Sequence, residues 1–223
     1  MKKLACLMVI ALVILLAAST GWAQTLPSSK AAVILGNPTV APAVCNEAGT
    51  NWATIFSVDM RNSGAQKDFL IGLSGVTQLI TDTLVKSAGG IKDTSEAEAI
   101  IKVRVLVDDV EAAPGEIVYD RRKQTLIARF NGICTDTNGD GIIQYTECTE
   151  PEELELILDT QAAHHFNFVA DDVGTGVHTI KGQACTATTG SSQQGSWNAS
   201  ALFGKGALTV EEIRLVKGAV IEQ

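Results

Sequence analysis

The stretch of this 223-residue chain with the most specific chemistry is CTDTNGDGIIQYTEC, Cys134 to Cys148. Oxygen-bearing side chains recur at every second position, at Asp136, Asn138 and Asp140, followed by Gly141, the apolar Ile143 and, last, Glu147. The spacing is D-x-[DN]-x-[DN]-G-x5-E without a gap. A hard divalent cation takes about six to eight oxygens, and alternate residues of a tightly turning loop aim theirs at one centre. Asp136, Asn138 and Asp140 would supply side-chain oxygens, Ile142 its carbonyl, Gln144 a contact through water and Glu147 both carboxylate oxygens. Gly141 permits the sharp turn, and Ile143 fits the position that seats such a loop on the body of a protein. The expected cofactor is one structural calcium ion. The competing reading is a surface turn, in which Asp, Asn and Gly occur for conformational reasons alone. Such a turn has no need of Ile143 and Glu147 as well.

Cysteines flank the loop. Of five in the chain, Cys6 lies in the apolar N-terminal run, which leaves Cys45, Cys134, Cys148 and Cys185. An even number in an exported chain favours disulfides. Of the three possible pairings we expect Cys134–Cys148 and Cys45–Cys185. A bridge closing a loop of roughly 15 residues is worth about 3 kcal/mol in the chain-entropy model. Zinc would call for CxxC or paired CxxH spacings, which do not occur.

The remaining candidates carry less. His164 and His165 are adjacent and would point to opposite faces of a strand, so both cannot ligate one ion; His178 could approach one of them across a hairpin. No GxSxG, HExxH or phosphate-binding glycine loop occurs, and we expect no enzyme. Glu150, Glu152, Glu153 and Glu155 read as a solvated edge, and Asp120-Arg121-Arg122-Lys123 as a polar turn. Trp52 and Trp197 are expected to pack in the core, the alternative being a carbohydrate-facing platform and a carbohydrate-binding module. Asn198-Ala199-Ser200 spells a glycosylation sequon.

The elements that must position the loop read as strands. Ile101, Val103, Val105 and Val107 alternate with Lys102 and Arg104; Leu126, Ala128 and Phe130, then Phe166 and Phe168, repeat the pattern. Period-two alternation marks antiparallel strands buried on one face. Further strands are expected in WATIFSVDM, DFLIGLS, VTQLITDTLV, HTIKGQACT, SWNASALFG and LTVEEIRLV, with turns at Asn62-Ser63-Gly64, Gly89-Gly90, Pro114-Gly115 and Gly174–Gly176. PEELELILDT fits a helix through Leu154, Ile157 and Leu158 and a strand through Leu154, Leu156 and Leu158; its neighbours favour the strand. The expected fold is an all-β antiparallel sandwich, immunoglobulin-like or jelly roll, with the calcium loop inserted at 134–148.

MKKLACLMVIALVILLAASTGWAQ has a basic start, a short apolar run and small residues before Gln24, the pattern of a secretory signal peptide, with cleavage expected after Ala23. Residues 24–44 then form a leader with one strand at Ala31–Leu35, and 45–223 the sandwich. Loss of Lys2 and Lys3 leaves 15 basic against 25 acidic residues, a formal charge of −10. That balance argues against nucleic acid or an anionic membrane as partner. It suits a soluble exported protein that attracts cations. The protein is expected to be secreted or at the cell surface, with a glycan or cell-surface partner, or self-associating by adding its leader strand to a neighbour's sheet edge.

The tract Asp136–Glu147 resembles the calcium loops of EF-hands and dockerins. RFNGIC before it reads as a strand instead of a helix, and no second loop is present, so the resemblance implies a structural ion in a β-protein and not a helix-opening switch. FNFVADDVGTGVHTIKGQA resembles the late hairpin of bacterial immunoglobulin-like sandwiches. Together with GKGALTVEEIRLVKG it is similar to exported bacterial proteins of unknown function, which implies an architecture and no activity.

Overall fold

The structure, a computed structural model, describes residues 29–34, 43–45, 51–62, 66–87, 91–130, 135–142 and 152–215. All the regular elements among them are strands: β1 Ser29–Ile34, β2 Ala43–Val44, β3 Ala53–Asn62, β4 Lys67–Ser87, β5 Lys92–Val107, β6 Val110–Glu111, β7 Ile117–Arg129, β8 Glu152–Val173, β9 Gly176–Ser192 and β10 Ser196–Ile213. The expected signal peptide and the glycine turn at 89–90 lie outside the described residues.

The first sheet runs β1-β10-β4-β8, every pair antiparallel. The second is built on the β9–β5 pair, with β3 and the short β2 along one side of it and β7 and β6 along the other. Facing each other, the two make an antiparallel β-sandwich, as the alternation predicts. On β5, Ala97, Ala99, Ile101, Val103 and Val105 are buried while Lys102 and Arg104 lie on the other face. On β4 the buried set is Phe69, Ile71, Leu73, Leu79 and Val85 with three threonines between.

Two pairs of expected strands are single long ones. DFLIGLS and VTQLITDTLV are both in β4, and SWNASALFG and LTVEEIRLV are both in β10. The glycines at these two joins are points of close approach. Gly75 of β4 pairs with Gly206 of β10. A Cβ on Gly75 would lie 2.1 Å from Cζ of Phe203, and one on Gly206 2.3 Å from the Ser74 carbonyl oxygen. The β10 register shifts between Phe203 and Gly206, a bulge that lets the strand continue past the crowded point.

Asp120-Arg121-Arg122-Lys123 is a strand and not a turn. It lies inside β7, where cross-strand charge replaces apolar pairing. Arg121 Nε meets Glu98 Oε1 at 2.6 Å and Lys123 Nζ meets Glu96 Oε1 at 2.9 Å on the outer face. The Arg121 guanidinium holds the Glu98 carboxyl below its ordinary range. PEELELILDT is strand from Glu152 onward.

The interior divides along the strands. One half holds Met60, Phe69, Ile71, Leu73, Val103, Val105, Phe168, Ile180 and Leu208, each 1% exposed or less. Burying a side chain of this size is worth about 1.5–3 kcal/mol. The other half buries Thr77, Thr81, Thr83, Asp93, Ser95 and Gln124, where each hydrogen bond nets only about 1 kcal/mol. The connection that carries the candidate calcium loop leaves from this polar half, between the end of β7 and the start of β8.

Candidate functional site

Residues 135–142 form a tight turn whose acidic side chains fold back on its own backbone. Asp136 Oδ1 accepts from Gly139 N at 2.6 Å and its Oδ2 from Gly141 N at 2.8 Å. Asn138 Oδ1 accepts from Asp140 N at 2.9 Å, and Asp140 Oδ1 from Ile142 N at 2.7 Å. The last two are Asx turns, each side chain reaching two residues on. Gly139 and Gly141 have φ of 74° and 78°, left-handed values that favour glycine. A Cβ on either would meet nothing within 4 Å, so conformation and not space selects glycine there.

The structure thus brings Asp136, Asn138 and Asp140 together. An ionised carboxylate has about four acceptor positions, so Asp136 and Asp140 keep acceptor capacity beyond these amide bonds. The oxygen-only donor set suits a hard cation. The Ile142 side chain is 67% exposed. Ile143, Gln144 and Glu147 lie outside the described residues, as do Cys134 and Cys148. Among the described residues, no group of three or more His, Cys, Asp or Glu is placed to hold a metal.

The second expected bridge is present. Cys45 and Cys185 form a disulfide with Cα atoms 5.0 Å apart, across 140 residues of sequence. β2 pairs with β9 in parallel, Ala43 opposite Cys185, and Cys45 N donates to Thr186 O at 2.8 Å.

Asp93, fully buried, accepts from Lys86 N at 2.7 Å, Thr94 N at 2.8 Å and Gln194 N at 3.1 Å, and so joins the two sheets near the polar end. Gln124 Oε1 accepts from Thr81 Oγ1 at 2.8 Å, and its Nε2 donates to Leu156 O at 2.8 Å and to Thr83 Oγ1. Sequence reasoning missed both residues, because alternation assigns a strand residue to a face and does not recruit a polar one to the inner face. Their inward-facing positions, in register with apolar neighbours such as Ala97 and Ala128, were the available signal.

The three histidines do not converge. His164 Nε2 lies 3.3 Å from Asp120 Oδ2, which also accepts from Thr77 Oγ1 at 2.5 Å. The β5–β7 register skips Tyr119, between Asp120 and Val118, and its phenol donates to the His164 carbonyl at 2.7 Å; burial pushes its pKa up. His165 lies on the opposite face, 2.9 Å from Asn167 Oδ1. At the far end of the sandwich His178 Nδ1 meets Asp108 Oδ2 at 2.7 Å, while Nε2 faces Gly174 O at 3.0 Å. Asp108 also accepts from Thr179 N at 2.8 Å. The His178 hydrogen bond is the largest cause of a lowered Asp108 pKa. An open groove of about 580 Å³ runs past this pair, between Pro114 and Val169.

Trp52 and Trp197 are not core residues and do not share a platform. Trp52 precedes β3 of the second sheet and lies 4.5 Å beneath the Arg104 guanidinium. Trp197, on β10 of the first sheet, is 36% exposed and packs over Gly190. Trp52 stacks on Arg104, which lies on the outer face of its sheet, and Trp197 is the second residue of β10, at the strand's end.

Neither a protein-family model nor a curated protein matches the chain. Among solved structures it is similar to that of infectious bursal disease virus, Gx strain, with a TM-score of 0.30 and 15% identity over 85% of this chain and 37% of that one. The infectious bursal disease virus VP2 subviral particle gives a TM-score of 0.19 and 12% identity over 83% of this chain and 41% of that one. The chain spans less than half the length of either.

Proposed function

We propose that the protein is an exported, non-enzymatic structural or adhesive β-sandwich of the cell surface or matrix. In this reading one structural calcium ion and two disulfides stabilise it, and it self-associates by strand addition. Export rests on the basic, apolar and small-residue succession from Lys2 to Gln24. The observation that carries the reading is the folded-back turn of Asp136, Asn138 and Asp140, the three residues selected by ligand spacing. A calcium ion would take their remaining oxygen acceptors, the Ile142 carbonyl and the Glu147 carboxylate. Held by Cys134–Cys148, it would close the polar end of the sandwich without the helices that flank EF-hand loops.

Titration calorimetry on the mature chain tests this. One calcium site is expected, at the affinity of extracellular modules, about 10⁻⁴ to 10⁻³ M. Asp136→Ala should abolish the heat and leave the fold intact, because its amide partners Gly139 and Gly141 are exposed to water. If calcium binds at about 10⁻⁴ M, 10 mM calcium should stabilise the wild type by about 2.7 kcal/mol. Absence of heat up to millimolar calcium would leave a plain Asx turn.

A further inference from the structure

We propose that β1 is exchanged between copies of this chain, each copy receiving on its β10 edge the Ser29–Ile34 strand of another. This rests on the self-associating part of the reading above, and it names the donor and acceptor surfaces.

Among the described residues β1 is the end strand of the first sheet, paired only with β10, from Ser29 opposite Glu211 to Ile34 opposite Gly206. The next strand, β2, is in the other sheet and is followed at once by Cys45, covalently fixed to Cys185. The firm anchorage of the chain therefore begins at residues 43–45. Of the residues before it, the described ones, Ser29–Ile34, are held to the sandwich by a six-residue ladder along one edge, with β3 of the facing sheet nearby.

Three properties make that ladder transferable. The β10 edge is the same in every copy, so the register that β1 adopts on its own sheet is open to a neighbour's β1 with the same hydrogen bonds. Residues 31–35, AAVIL, carry no charge to oppose a second copy. The eight residues 35–42 between donor strand and anchor have a contour of at most about 29 Å, and Pro38 and Pro42 among them cannot enter a helix interior. Intramolecular and exchanged forms then differ chiefly by the tether, whose effective concentration is of order millimolar for a short linker. Exchange of an identical element is a low-cost route to assembly. It should become populated as local chain concentration approaches that value, as on a crowded surface.

The test uses the mature full chain carrying Val33→Cys and Ala207→Cys, register partners on β1 and β10, oxidised between about 10 µM and 1 mM. Exchange predicts covalent dimers and longer oligomers on non-reducing gels, with a share that rises with concentration. An exclusively intrachain crosslink, while light scattering still shows assemblies, overturns strand exchange and leaves self-association standing. Monomers by both methods overturn the two together. On the unmodified chain, excess synthetic peptide of residues 27–36 should compete for the β10 edge and lower the assembled fraction. An unchanged fraction also overturns the proposal, independently of how the cysteine variant folds.

Discussion

The two ends of β8 have the same alternation and opposite fates. Near its C-terminal end, Phe168 faces Ile71 across the β4 ladder and is wholly buried. Near its N-terminal end, Leu154, Leu156 and Leu158 share a face with buried Val85, Thr83 and Thr81, yet are 44%, 39% and 40% exposed. The first end belongs to the half of the sandwich filled with Phe, Ile, Leu and Val. The second belongs to the half tied by Gln124, Asp93 and the β4 threonines. A strand pattern fixes the side on which a residue lies; the facing sheet decides whether water is excluded. Low local stability is where binding loops are drawn from, and the Asp136–Ile142 turn follows the strand that faces these leucines.

The largest expected effect breaks this comparison directly. Phe168→Ala should cost about 3–5 kcal/mol, a cavity in close-packed surroundings. Leu156→Ala, on the same strand and the same face, should cost under about 1 kcal/mol, because much of its side chain already meets water. Urea denaturation of the two variants measures both. Equal losses would mean that the polar half is as well covered as the apolar one.

A middle-sized effect sharpens it. Gln124→Ala leaves the Thr81 hydroxyl without its acceptor, and leaves the Thr83 hydroxyl and the Leu156 carbonyl only their 3.4 Å bond to each other in place of the Gln124 amide. Leaving buried polar groups unmatched costs about 1–3 kcal/mol. Hydrogen exchange should rise at the β7–β8 end near the loop and stay low around Phe168 and Ile71. A uniform rise would show that the halves unfold as one unit.

These two halves also mark how far the sequence was legible. Where alternation met an apolar partner, as in Ile101, Val103 and Val105, strand and face could both be read. β4 and β10 were each expected as two strands, because the reason for Gly75 and Gly206, a Phe203 ring and a neighbouring backbone, lies on other parts of the chain. Arg121 and Lys123 read as a turn because their ion-pair partners, Glu98 and Glu96, lie diagonally across on β5. The pairing of Cys45 with Cys185 was chosen correctly on the ground that the other two cysteines are local to one loop. Within that loop the turn-forming roles of Asp136, Asn138 and Asp140 follow from residue type, since Asx side chains bond backbone within a few positions. Asp93 and Gln124 share the inward parity of Ala97 and Ala128, but that parity does not name their distant partners Gln194 and Leu156.

The smallest expected effect concerns the far end of the apolar half, where Asp108 bonds His178 and Thr179. Its carboxyl is lowered by the His178 hydrogen bond first, with the Thr179 amide adding to it and burial opposing. A carboxylate with a folded pKa below its unfolded value, about 3.9, adds stability above that pH and loses it as pH falls through the folded value. The Asp108 side chain is half exposed, so the contribution should stay within the range of exposed ion pairs, below about 1 kcal/mol. Urea midpoints of wild type and Asp108→Asn should therefore differ by a small amount at pH 5, and the two should converge below about pH 4. A gap that persists to pH 2 would assign the effect of the substitution to the turn backbone, where Asp108 has a φ of 51°, and not to its charge.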